Sequence, residues 1–97
     1  MRIRGFEWDH EDDADGNVAH IAKHGVVPEE VEEVLVENPL VLRTADGRYL
    51  GYGKTGDGRS LFVVFVSKPR GIVRPLTARA MTDAEKRLYR RKRGKPR

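Results

Sequence analysis

A chain of 97 residues with 38% apolar residues and seven aromatics has material for one thin hydrophobic core. It has no cysteine, which excludes disulfides, thiolate catalysis and Cys-based zinc sites, and it holds no apolar run long enough to cross a bilayer. The net charge is +4, yet residues 1–40 carry three bases against eleven acids, whereas residues 41–97 carry sixteen bases against four acids.

Such a split produces one electropositive side, the usual footprint of a polyanion partner. The plainer alternative is a solvated basic surface, since charge counts do not prove binding. The opening residues run directly into Phe6-Glu7-Trp8-Asp9 and contain no apolar signal segment, so a cytoplasmic protein without membrane contact is expected.

In chain order, Arg2 to Trp8 reads as a strand, broken by the acidic stretch His10 to Asp15. Val18, Ala19, Ile21 and Ala22 suggest a short helix from about Gly16 to His24, ended by Gly25. Pro28 with Glu29 and Glu30 suits the start of a second helix, whose Val31, Val34 and Leu35 form one apolar stripe. Asn38-Pro39 stops it. Leu40–Arg43 is a strand, Ala45-Asp46-Gly47 a hairpin turn, and Arg48–Gly53 the returning strand. After the turn Thr55-Gly56-Asp57-Gly58, the run Leu61–Val66 is predicted to be the central strand, buried on both faces. Ile72–Arg79 is the last strand, and Pro75 makes it an edge there or gives it a bulge. Thr82-Asp83-Ala84-Glu85 matches a capping box that opens a helix through about Arg93.

The expected fold class is therefore α+β: β-α-α, an antiparallel meander of about four strands and a C-terminal helix, with the helices on one face of the sheet. Residues 1–93 are expected to form one domain, followed by a disordered basic tail at 94–97.

The chain has no phosphate loop and no nucleophile elbow. His20 and His24 lie one helical turn apart and form the one pair with metal-ligand spacing, but no third ligand accompanies them. No metal and no cofactor is expected. Lys23 and His24 are placed to project together from the end of the first helix. Arg48, Arg74 and Arg79 stand inside structural elements, where a guanidinium fork fits a phosphate. RNA can be cleaved without metal by its own 2′-hydroxyl, given a group that takes the 2′ proton, cations around the phosphate and an acid for the leaving 5′ oxygen. Strand alternation puts Arg74 and Arg79 on opposite faces unless a bulge lies between them.

Phe6-Glu7-Trp8-Asp9, Asn17, Lys23-His24-Gly25-Val26, Glu29-Glu30-Val31, Pro39, Arg48, Gly53, Leu61–Val66, Arg74-x-x-Thr-Ala-Arg79, Glu85 and Tyr89 together resemble the BrnT toxins across residues 6–89. The resemblance implies a RelE-like ribonuclease fold and a toxin that cuts RNA and inhibits translation, on or off the ribosome. It also implies a cognate antitoxin, usually with a ribbon-helix-helix DNA-binding region. Carried onto this chain, it makes Lys23, His24, Arg48, Arg74, Arg79 and Tyr89 catalytic candidates, with either Lys23 or His24 as the proton-transfer group. Lys86, Arg87, Arg90, Arg91 and Arg93 become candidates for docking RNA. The chain departs from the family pattern in its acidic lead Asp12–Gly16, in the added His20, in Thr77 where Ser is commoner, and in the basic run after Tyr89. The competing reading is a non-catalytic protein that binds nucleic acid or the antitoxin alone.

Overall fold

The computed structural model describes residues 2–93 as β1 (Gly5–Phe6), α1 (Asn17–Ala22), α2 (Pro28–Val36), β2 (Leu40–Arg43), β3 (Tyr49–Lys54), β4 (Ser60–Lys68), β5 (Ile72–Ala80) and α3 (Asp83–Arg93). The tail expected at 94–97 lies outside the described residues. Strands β2 to β5 form the antiparallel meander in chain order. β1 adds a fifth strand parallel to β5, giving the order β1-β5-β4-β3-β2. It is much shorter than the strand expected over residues 2–8. Only Gly5 and Phe6 pair, with Ile72 and Val73, flanked by amide bonds from Arg4 to the Gly71 carbonyl and from Glu7 to the Val73 carbonyl.

The two N-terminal helices end and begin as their sequences dictate. Gly25 takes φ +73°, and the Gly25 and Val26 amides return to the Ala22 and Ile21 carbonyls, a Schellman ending that drops Val26 into the core. The Val27 amide donates to the Glu30 carboxylate at 3.1 Å as Pro28 opens α2. Val31, Val34 and Leu35 then face the sheet, meeting Leu61, Val63 and Phe65 of β4 and Val73 and Ala78 of β5. Close approach is permitted by Gly51 on β3, where a Cβ would stand 2.8 Å from the Leu35 Cδ2.

Two expectations are corrected. The β4 run is not buried on both faces: Leu61, Val63 and Phe65 are fully buried, while Phe62, Val64 and Val66 alternate with them as half-buried residues. Nor do all helices share one face. α1 and α2 contribute the core on the Leu61 side, whereas α3 starts over the Phe62 side and leans toward β2. The apolar residues of α3 are few and none is buried, so it covers that second face only in part. This explains why β4 is apolar on both sides yet only half-buried on one.

β5 carries the decisive irregularity. Phe65 pairs with Pro75 and Val64 with Thr77, so Leu76 is an extra residue opposite the Val64/Phe65 step. Beyond Val73, β5 has no strand partner on its outer side, which suits a residue without an N–H. The bulge lets Val73, Pro75 and Ala78 all point into the core, and it leaves Arg74 and Arg79 together on the opposite face.

Candidate functional site

Arg74 pairs across β4 with Val66, and Arg79 with Phe62. The rows are four residue steps apart on β4, so the two arginine positions lie about 13 Å apart along the strand at ~3.3 Å per residue. They share a face but not a single phosphate.

Each arginine is already held by carboxylates. Arg74 donates from Nη1 and Nη2 to the two Asp9 oxygens at 3.1 and 2.7 Å, and from Nη1 to Glu7 at 3.3 Å. Arg79 donates in the same end-on manner to Glu85 at 2.7 and 2.9 Å and also to the Ala80 carbonyl at 3.1 Å. Its guanidinium lies 4.5 Å from the centre of the Phe62 ring. In both cases the end-on fork is filled. The side-on fork, Nε–H with the outer Nη2–H, has no partner among the described residues. A phosphate can therefore approach either arginine sideways without displacing its carboxylate.

These carboxylates are shaped by their partners. The Lys68 ammonium, ahead of Arg74, holds Glu7 below the ordinary carboxylate range. The Arg74 fork holds Asp9 down, aided by the Asn17 amide. The Arg79 fork, with the Thr82 amide, does the same for Glu85, which also closes the capping box of α3. Burial pushes the Tyr52 hydroxyl up, with the Glu85 charge adding to it. A carboxylate with a depressed folded pKa stabilises the fold above its unfolded value near ~4 and loses that contribution as pH falls through the folded value. Urea midpoints measured stepwise in pH are therefore expected to hold at neutral pH and to drop below about pH 4.5, with a shallower drop in Glu85→Gln.

Arg48 is not in a strand. It lies in the β2–β3 turn, exposed, 3.8 Å from Asp46, with its amide and carbonyl both bonded to Thr44. It immediately precedes Tyr49, the partner of Phe65, so it sits at the Arg74 end of the sheet two strands away, about 10 Å. Lys23 and His24 are exposed at the end of α1. The His24 ring packs edge-on against His20 at 5.5 Å. His20 in turn bonds Thr77 of β5 at 3.0 Å, which ties this end of α1 to the strand between Arg74 and Arg79. Tyr89 is half-buried on α3 with Arg93 6.0 Å from its ring. It stands on the helix that leans to β2, while α1 packs on β5. Arg87, Arg90, Arg91 and Arg93 are exposed and Lys86 is half-buried.

The structure thus places Arg74, Thr77 and Arg79 on the open face, and α1, from the core side, reaches the β5 edge through the His20–Thr77 bond, with His24 beside His20. It sets Arg48 at one end of that face and leaves Tyr89 with the α3 cations. His20, Thr77 and the carboxylates Glu7, Asp9 and Glu85 were missed as participants. The spacing of His20 and His24 was a signal, but nothing in sequence announces a partner 57 positions away. Among the described residues no group of three or more His, Cys, Asp or Glu is placed to hold a metal ion, and no helix is long and apolar enough to cross a membrane. The larger cavities lie elsewhere, one beside Leu35, Val41 and Phe65 and one walled by Glu29, Glu32, Glu33 and Glu37, where a polyanion is repelled.

A thin α+β sheet that offers arginines and exposed imidazoles along one strand margin, beside a strongly basic helix, defines a small protein of the polyanion-directed class. Residues 8–85 match the family model of the ribonuclease toxin BrnT of type II toxin–antitoxin systems. The chain belongs to this family, as a ribonuclease toxin paired with an antitoxin. No curated protein and no solved structure matches the chain. The family match stops at Glu85, so the cations of α3 from Lys86 onward lie beyond it.

Proposed function

We propose that the protein is an endoribonuclease that cleaves RNA without a metal, by in-line attack of the 2′-hydroxyl, on the β5 margin of the open sheet face. The observation that carries this reading is the Leu76 bulge, which supports one surface holding Arg74, Arg79 and the imidazole-bearing end of α1. In this reaction the bond from O2′ to phosphorus forms and the bond from phosphorus to O5′ breaks. The products are a 2′,3′-cyclic phosphate and a 5′-hydroxyl. Arg79 binds the attacked phosphate through its side-on fork and stabilises the charge that grows on it, and Arg74 holds a phosphate further along the strand. Lys23 or His24 supplies proton transfer. Arg48 and the α3 residues Lys86, Arg87, Arg90, Arg91 and Arg93 guide the strand, and Tyr89 lies with them and not at the reacting phosphate.

The reading extends to a cytoplasmic protein neutralised by an antitoxin of ribbon-helix-helix type, and to RNA engaged on the ribosome as one route to translation arrest. Purified protein incubated with bacterial RNA in the presence of EDTA tests the chemistry. Fragments ending in cyclic phosphate support it, and intact RNA beside a folded protein overturns it. Induction in a bacterial host, alone and with the adjacent gene, tests toxicity and neutralisation together.

The competing reading, binding without cleavage, is favoured by one observation: the α3 cations from Arg87 onward are exposed, whereas both sheet arginines are already paired. It requires that truncation after Tyr89 weakens RNA affinity and flattens its salt dependence, with no cleavage at any salt concentration.

A further inference from the structure

We propose that His20, oriented by Thr77, is the group that takes the 2′ proton at this site; the proposal rests on the ribonuclease reading above. Thr77 pairs with Val64, midway between Val66, the partner of Arg74, and Phe62, the partner of Arg79. Each arginine row is two residue steps away on β4, so Thr77 is about 7 Å along the strand from either. His20 reaches this midpoint from α1, with its Nε2 3.0 Å from the Thr77 Oγ1. It is exposed, fills no part of the core, and shares with Arg74, Pro75 and Leu76 the wall of an open cleft of about 170 Å³. That volume is below the roughly 300–1,000 Å³ of pockets that enclose small ligands, and it suits a groove crossed by a polymer.

The hydrogen bond gives the imidazole a defined role. With Nε2–H donating to Thr77, Nδ1 keeps its lone pair and accepts the 2′ proton as the O2′–P bond forms. The departing O5′ takes its proton from Lys23 or His24, one turn further along α1. No metal, oxidant or second substrate is needed. A base fixed by a third group is the arrangement that activates hydroxyl nucleophiles elsewhere. His24 fits the base role less well, since it touches β5 only through His20. The charged and titratable groups around His20 are Lys23 and His24 on its own helix, Asp15 before it, and from β5 Arg74 and Arg79, the first neutralised by Asp9 and Glu7 and the second by Glu85.

The test compares wild type, His20→Gln, Thr77→Val and Thr77→Ser on total bacterial RNA with and without ribosomes. Binding is measured separately on an RNA whose 2′-hydroxyls are O-methylated, which cannot be cut by 2′ attack. His20→Gln is expected to lower kcat about 100-fold or more, with KM and binding within twofold and an unchanged melting curve. It should also remove the acid limb of the pH–rate profile. Thr77→Val is expected to lower kcat about tenfold and to displace that limb, and Thr77→Ser to restore both. Cleavage by His20→Gln within threefold of wild type, with the acid limb intact, overturns the proposal and leaves the ribonuclease reading standing on Lys23 or His24. A wild type that cuts nothing under either condition overturns both. A loss in His20→Gln that tracks lost binding, with the acid limb retained, assigns His20 to holding RNA and also overturns the proposal.

Discussion

Asn17→Ala is expected to destabilise the protein by about 2–4 kcal/mol, one of the largest effects any polar substitution has here. Asn17 is 5% exposed, and each of its polar atoms is committed. Its side-chain amide donates to the Glu7 carbonyl at 3.1 Å and the Pro75 carbonyl at 2.9 Å, while its Oδ1 accepts from the Asp9 amide at 2.9 Å. The Asn17 backbone amide donates to the Asp9 carboxylate, which also receives Arg74. One side chain therefore joins the exit of β1, the start of α1 and the bulged edge of β5, where no strand is present to satisfy the Pro75 carbonyl. Alanine leaves three backbone groups without that partner, the Pro75 carbonyl in a buried position. Urea unfolding should show a lower midpoint with an unchanged slope. Asn17→Asp should be worse, because it turns a carboxylate toward two carbonyl oxygens. A drop below 1 kcal/mol for Asn17→Ala would mean that water reaches this junction and that the junction is not what fixes α1 on β5.

The same junction separates what sequence discloses from what it conceals. α2 and β2 were legible because their signals are local: a proline start, a stripe at helical spacing, an Asn-Pro stop. The capping box of α3 was legible for the same reason, and Glu85 closes it as the spacing requires. Pro75 disclosed that β5 must be an edge or be bulged, and it is both. β1 was over-extended because Ile3, Phe6 and Trp8 are apolar enough to suggest a strand, whereas only two residues find a parallel partner across 67 positions of chain. The side taken by α3 is hidden in the sequence for a different reason. A helix of eleven residues with six Lys or Arg has too little apolar surface to declare a face, and its position is set by Glu85 meeting Arg79.

For the candidate site, residue types were legible and their partners were not. Arg74 and Arg79 were singled out as phosphate ligands because a guanidinium fork suits a phosphate. It suits a carboxylate equally, and Asp9 and Glu85 occupy the end-on forks of the free protein. Arg48 reads as a strand residue because Tyr49-Leu50 continues from it, but the Thr44 hydroxyl accepts a hydrogen bond from its amide and holds it in the turn. His20 had a signal, its spacing to His24, and that signal pointed to a metal. The structure instead gives it a hydroxyl partner on β5.

Arg79→Ala is expected to lower the RNA cleavage rate about 100- to 1,000-fold, the usual cost of removing one donor that stabilises transition-state charge. The stability loss should be small by comparison, about 1 kcal/mol or less, because the Arg79–Glu85 pair is 37% and 19% exposed and water screens it. Arg79→Lys should recover little. An ammonium is one point charge, and it cannot grip Glu85 end-on while offering a phosphate a second, sideways pair of donors. Glu85→Gln makes the converse change. It keeps an acceptor for the Thr82 amide, so α3 still starts in place, but it removes the negative charge beside Arg79. RNA should then bind more tightly, while the rate at saturation changes little if the side-on fork is the one in use. If phosphate instead needs the end-on fork, Glu85→Gln should raise kcat as well, because the wild type must break a charged pair at every turnover. Arg79→Ala with wild-type cleavage and an intact melting transition would remove Arg79 from the chemistry and leave its pairing with Glu85 as a structural corner between β5 and α3. The two variants read together thus tell a phosphate ligand that is merely braced by Glu85 from one that Glu85 holds in check.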